Sequence, residues 1–316
     1  MGKLYIIAYR HSSFMQLFGE EEKKGNIVVI ENGLAAPKNF FLQITRFLFA
    51  GKCYLPIWIL QIWFKRSFLL QLKNIKEDDT LVLFESINLR ATGMLYHLLP
   101  KKLVKYNWFG NPIYPLFKGK DPRPCLNKIK DFGFQLVTFD PHDAVRYGMS
   151  YHNQFLRFPK PEELTCKVGI DFFFVGIPKD RESYLLKIKS FLEGKGYKCC
   201  FIIPHSSDEF ISYEENLKYV ARSRCLIDIY QCGQSGITRR PMEALFYNKK
   251  LITNNPEIRN FDFFHPNNIF ILEQENLEEI LAFMEKPMYM QPDSLKAKYD
   301  VGSWLSFYKE KANSSL

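Results

Sequence analysis

Short, uninterrupted apolar runs recur along the chain, each followed by a polar loop and then by a stretch with helical spacing. The spacing predicts strands at Lys3–Tyr9, Asn26–Glu31, Leu81–Phe84, Val104–Phe109 and Gln135–Phe139. A second series falls at Phe172–Val175, Cys199–Ile203, Leu226–Ile229, Lys249–Thr253 and Asn268–Leu272. Runs that are apolar at every position belong to strands buried on both faces, the signature of parallel sheets with helices on each side. Intervening helices are expected at Leu89–Leu99, Pro124–Phe132, Arg181–Gly194, Tyr213–Ala221, Leu277–Met284 and 294–312. Residues 156–170 are rich in Pro, Lys and Glu without periodicity and read as a linker. The pattern therefore predicts an α/β chain with two Rossmann-like parallel-sheet domains whose ligand edges face a cleft. The first domain would cover residues 1–160 and the second 161–293, with the C-terminal helix at 294–316 packing back on the first.

Residues 37–73 are the most apolar part of the chain. Pro37 precedes FFLQITRFLFAG, and Pro56 opens IWILQIWFKRSFLLQLK, so two helices are expected. They are nearly apolar all round, which favours two buried helices packed on the sheet. Arg46, Lys52, Lys65 and Arg66 support the alternative, a basic aromatic surface resting on a membrane interface. No run is long and apolar enough for a transmembrane helix, and the N-terminal run reads as a strand, not a signal peptide.

With 47% hydrophobic residues in 316, the chain can bury a large core. Basic residues exceed acids by nine, which suits a phosphate-bearing partner. There is no concentrated basic stripe or known module, which argues against nucleic acid, and no G-x-G-x-x-G follows a strand, which argues against a dinucleotide oxidoreductase. Seven scattered cysteines without metal or disulfide spacing point to reduced thiols and hence to the cytoplasm, at the inner face of the cytoplasmic membrane if residues 37–73 rest on it. No metal site and no cofactor are expected: Glu77-Asp78-Asp79 precedes its strand, on the edge opposite the ligand edge, and reads as a solvated turn.

Candidate chemistry lies where strands end. Gly176-Ile177-Pro178-Lys179-Asp180-Arg181 follows a strand and opens a helix; Gly176 allows close backbone approach, and Lys179 and Arg181 can neutralise phosphate oxygens. The stretch 231–255 supplies Gln234, Ser235, Gly236 and Thr238 for a diphosphate, Arg240 to pair with it and Glu243 to accept from a ribose diol. Pro241 marks the first turn of the helix that follows. In the first domain His11, Glu85 and Asp140 are candidate bases, with Ser12 and Asn111 as acceptor-side contacts. His142 and His152 read as structural.

The segment 240–255, RPMEALFYNKKLITNN, resembles the donor-binding segment of GT-B glycosyltransferases. YNWFGNPI (106–113), DFFFVGIPKDRESYL (171–185) and SYEENLKYVARSRCLIDI (212–229) make the chain similar to bacterial glycosyltransferases of surface-polysaccharide and lipopolysaccharide assembly. The resemblance implies that Glu243 contacts a nucleotide-sugar donor. It also implies a glycan or lipid-linked glycan as acceptor, and protein cations instead of a metal at the leaving diphosphate. Ser235 stands where many retaining members carry a second glutamate, and Asn248-Lys249 replaces the usual glycine, so the anomeric outcome stays open. The alternative is a nucleotide-binding but catalytically inactive scaffold of the same pathway.

Overall fold

In the computed structural model, residues 2–8, 13–34, 37–230, 236–273 and 276–314 are described. The chain divides into two compact units: residues 1–153 with 304–316, and residues 154–303.

The first unit is built on six parallel strands: β1 (Leu4–Ala8), β2 (Ile27–Glu31), β3 (Thr80–Phe84), β4 (Val104–Phe109), β5 (Phe134–Thr138) and β6 (Ser150–Tyr151). Their order is β2-β1-β3-β4-β5-β6. β1 and β3 are buried at every position, as their unbroken apolar sequences require. The two-residue edge strand β6 carried no readable pattern. The helices between strands begin on side-chain caps that the sequence displays: Asn88 before Leu89–Leu98 and Asp140 before Pro141–Tyr147.

The C-terminal segment completes this unit. Trp304 is 2% exposed and packs against Phe18, Phe84 and Trp108, with ring centroids 5.8, 5.7 and 5.4 Å away. His152 stacks on Phe307 at 4.0 Å, and its Nε2 lies 3.1 Å from the Trp304 carbonyl, a packing role. Residues 294–312 are not one helix: Asp293–Ala297 and Val301–Ser314 are separated by a break.

The second unit carries β7 (Ile170–Val175), β8 (Cys199–Ile202), β9 (Ser223–Asp228), β10 (Lys250–Thr253) and β11 (Ile269–Ile271). Their order is β11-β10-β9-β7-β8, all parallel. β7 and β9 are therefore neighbours from which the chain winds in opposite directions, the switch point of a doubly wound sheet. Both units are Rossmann-like α/β folds, as the alternating pattern predicts.

Four local expectations need correction. The stretch 156–170 is not an irregular linker throughout. Phe155 and Leu156 are fully buried, Leu156 exchanges backbone hydrogen bonds with Tyr299 and Val301, and the Arg157 guanidinium grips Glu163 at 2.9 and 2.6 Å beside a short helix, Pro161–Leu164. The helix after Pro56 is two pieces, Ile57–Leu60 and Arg66–Leu72. The helix Phe40–Phe49 is not buried, because most of its aromatic side chains face solvent. The acidic turn keeps Glu77 and Asp78 exposed, while Asp79 is buried and accepts from the backbone N–H groups of Lys3 and Lys76, both at 2.7 Å.

Candidate functional site

The carboxyl ends of β7 and β9 are where a doubly wound sheet receives a ligand, and Arg181, Asp228, Arg240 and Glu243 gather there. The β7 strand ends at Val175, followed by Gly176 and a tight turn, Lys179–Arg181, that leads into the helix Glu182–Gly194. A Cβ on Gly176 would lie 3.1 Å from Arg181 Nη2 and 3.3 Å from Phe174 Cζ, so no larger residue fits without displacing them. The β9 strand ends at Asp228, and the helix Arg239–Phe246 begins with Thr238 as its cap. Thr238 was expected to offer its hydroxyl to a diphosphate; here Oγ1 accepts from Arg240 N and donates to Asp228, 3.1 Å from each carboxylate oxygen.

Two arginines tie these elements together. Arg181 Nη1 donates to the Ile229 carbonyl and Nη2 to the Ile177 carbonyl, joining the β7 loop to the end of β9. Arg240 Nη2 donates to the Val175 carbonyl at 2.9 Å, and its guanidinium sits 5.5 Å from the Phe173 ring. Arg240 Nη1 is 3.1 Å from Glu243 Oε2 and 3.4 Å from Asn216 Oδ1, while Asn216 Nδ2 donates to Glu243 Oε1 at 3.0 Å. Glu243 Oε2 receives no well-aligned N–H, so its link to Arg240 is chiefly electrostatic. Arg240, expected to pair with a diphosphate, and Glu243, expected to meet a ribose, both belong to this network, and Glu243 is 3% exposed.

Asp228 is the charged residue that sequence reasoning passed over. It is 6% exposed, and burial pushes its carboxyl up to about 6 while Arg240, Thr238 and Arg181 pull it back down. Burial also lowers the Arg181 pKa, with Asp228 opposing that shift. Asn216 and Tyr230 were missed as well; the Tyr230 hydroxyl accepts from Thr238 N at 2.8 Å. The one available signal for Asp228 was an acid at the end of an apolar strand, LID, on the ligand edge.

Gly176, Arg181, Thr238, Arg240 and Glu243 thus come together, and Gly236 lies buried just before the cap. Lys179 belongs to the same loop. Gln234 and Ser235 lie outside the described residues, as do His11 and Ser12 of the first unit.

In the first unit Glu85 follows β3 at the corresponding switch point of its sheet. Its φ is 49°, a left-handed conformation that costs a residue with a Cβ about 1 kcal/mol. Asn111 Nδ2 donates to both of its carboxylate oxygens, at 2.8 and 2.9 Å, so a candidate base and a candidate acceptor contact meet at one edge. Asp140 is placed differently: it is 2% exposed, and Oδ1 caps a helix by accepting from His142 N and Asp143 N. That burial and capping suit it to holding the fold, not to taking a proton from an acceptor.

Among the described residues no three His, Cys, Asp or Glu side chains gather as a metal site, and no helix is long and apolar enough to cross a membrane.

The chain matches no family model and no curated protein. It is similar to solved structures at low identity. One is the accessory secretory protein 1, 2 and 3 structure of Streptococcus pneumoniae, 14% identical over 79% of this chain and 57% of that one, TM-score 0.48. The Gap123 glycosylation-associated complex of Streptococcus agalactiae is 10% identical over 79% and 54%, TM-score 0.42. Spinosyn forosaminyltransferase SpnP is 11% identical over 100% and 95%, TM-score 0.41. The chain spans little more than half the length of the two streptococcal chains it matches.

Proposed function

We propose that the chain is a glycosyltransferase of GT-B type, taking sugar from a nucleotide-sugar donor and adding it to a glycan or lipid-linked glycan in bacterial surface-polysaccharide synthesis. The observation that supports it is the convergence of Gly176, Arg181, Asp228, Thr238 and Arg240 at the switch point between β7 and β9. A donor diphosphate set there meets the amino end of the helix Arg239–Phe246 and a closely approachable backbone at Gly176. Arg181 and Arg240 are fixed to strand-end carbonyls, so their charges act as a preorganised field on the leaving diphosphate. Glu243 and Asn216 hold Arg240 in place. In the first unit Glu85, whose carboxylate accepts from Asn111, takes the proton of the acceptor hydroxyl in this reading. This reading invokes no metal ion.

A second reading is favoured by one observation. Arg240 and Glu243 form an ion pair whose side chains are only 11% and 4% exposed, which also suits a scaffold that binds nucleotide without transferring sugar.

A thermal-shift panel of UDP-, GDP-, dTDP- and CMP-linked compounds tests both. One nucleotide class raises the melting temperature by mass action, and Arg181→Ala abolishes the rise. No response from any compound removes both readings. A response without release of free nucleotide, in the presence of a full set of acceptor glycans, selects the scaffold.

A further inference from the structure

The helix Phe40–Phe49 is turned inside out. Two of its polar side chains, Thr45 and Arg46, face the protein, while Gln43 is exposed. Arg46 is 4% exposed and donates from Nη2 to the Leu34 carbonyl at 2.7 Å, and Thr45 Oγ1 accepts from Trp63 Nε1 at 2.9 Å. Its phenylalanines face out: Phe40, Phe41, Phe47 and Phe49 are 76, 69, 63 and 55% exposed. Tyr54 and Trp58, just beyond, are 63 and 68% exposed. Isolated exposed aromatics are ordinary, but so many on one short segment mark a surface that something covers.

Charge identifies what covers it. Between Glu31 and Glu77 there is no acidic residue, while Lys38, Arg46, Lys52, Lys65, Arg66, Lys73 and Lys76 are basic, and all of these except Arg46 are exposed. Beside Phe47 lies a depression of about 610 Å³, lined by Phe47, Lys52, Arg90, His97, Lys128 and Phe132 among others. The Arg90 guanidinium lies 4.6 Å from the Phe47 ring, and Lys128 also reaches Asp131 at 3.5 Å. An apolar aromatic face, a segment whose bases meet few acids (Lys65 reaches Glu31 at 3.5 Å) and a cationic depression at its margin together match an anionic lipid surface.

We propose that this face docks the protein on an anionic bilayer. The phenylalanines and Trp58 enter the boundary between headgroups and acyl chains, the exposed lysines meet lipid phosphates, and the depression beside Phe47 seats a phosphate headgroup. The proposal concerns the first unit alone and stands or falls separately from nucleotide binding.

Co-sedimentation of the full chain with phosphatidylcholine vesicles, with and without phosphatidylglycerol, tests it. The wild type sediments with the phosphatidylglycerol vesicles, and less so as salt is raised. The triple variant Phe40→Ser/Phe41→Ser/Phe47→Ser loses roughly tenfold or more in partitioning, from the lost apolar contact. Lys52→Glu/Lys128→Glu weakens binding to the anionic vesicles by a similar factor, roughly tenfold for two reversed charges. All these side chains are exposed, and circular dichroism of each variant serves as the check that it is folded. A wild type that stays in the supernatant with anionic vesicles overturns the proposal, as does binding that neither variant changes. Self-association of the wild type that the phenylalanine variant abolishes overturns it too, assigning the face to a second copy.

Discussion

Arg240 and Glu243 lie three residues apart at the start of one helix, with Nη1 3.1 Å from Oε2 and both side chains nearly sealed from solvent. Removing one partner leaves the other charged in a medium that solvates it poorly, at a cost of about 3–5 kcal/mol. Glu243→Ala and Arg240→Ala should each destabilise the second unit by about that much, and the double variant by less than their sum. Urea unfolding of the four proteins checks the coupling; simple additivity would show that the two charges do not depend on each other.

Asp228 should make the second unit more stable in mild acid than at neutral pH. Burial, set against the pull of Arg240, Thr238 and Arg181, takes its carboxyl from 3.8 up to about 6. The folded state therefore holds this proton more tightly than the unfolded chain. Its contribution is most favourable below about pH 4, falls as pH rises to about 6, and is level above that. Asp228→Asn should flatten this part of the stability profile, with a gain of about 1–3 kcal/mol at pH 7 relative to the wild type. Unfolding midpoints across pH 4–7 provide the measurement, and parallel profiles would count against the shift.

Gly176 separates ligand binding from folding. A methyl group there meets Arg181 Nη2 and Phe174 at distances that force a small displacement. Gly176→Ala should lower stability by no more than about 1 kcal/mol, since the neighbour is a side-chain end. The nucleotide-induced thermal shift should nevertheless disappear, because Arg181 moves. A full shift in this variant would place the phosphates elsewhere.

Glu85 should be costly to stability and needed for chemistry. At a φ of 49° glycine is more comfortable, so Glu85→Gly should match or exceed the wild-type melting temperature, by up to about 1 kcal/mol in stability. Sugar transfer, followed as nucleotide release, should be lost. Unchanged turnover would move the base to another residue.

The exposed helix makes an inverted prediction. Arg46→Ala leaves the Leu34 carbonyl without its donor and should cost about 1–3 kcal/mol. Phe41→Ser on the opposite face should change stability by no more than about 0.5 kcal/mol. Denaturant titrations of the two variants give the comparison directly.

Most strands were legible because a parallel strand buried on both faces writes its position as a continuous apolar run, as LYIIA in β1 and TLVLF in β3 do. The helix Phe40–Phe49 was legible as a helix but not in its orientation. Apolar content states how much surface prefers to leave water, not whether protein or another phase receives it. Thr45 and Arg46 point inward only because Trp63 and the Leu34 carbonyl await them, and neither is a local fact. At the site, the glycine before a helix and the Thr-Arg-Arg-Pro helix start were readable from local rules. Asn216 and Asp228 were not, since each takes its meaning from partners 27 and 10 residues away. The same long-range contacts tie Glu243 to Asn216 and Arg240, so a residue read as a ribose contact is also part of what holds Arg240 in place.

Trp304 carries a consequence for the order of events during synthesis. Phe18, Phe84 and Trp108 leave the ribosome long before the indole that covers them, with the whole second unit translated in between. At ordinary elongation speeds that interval is roughly ten to thirty seconds. The amino-terminal sheet must therefore wait in an unfinished state with an aromatic face uncovered. The second unit, continuous in sequence, can finish first, so the half of the protein that is made first is the half that matures last.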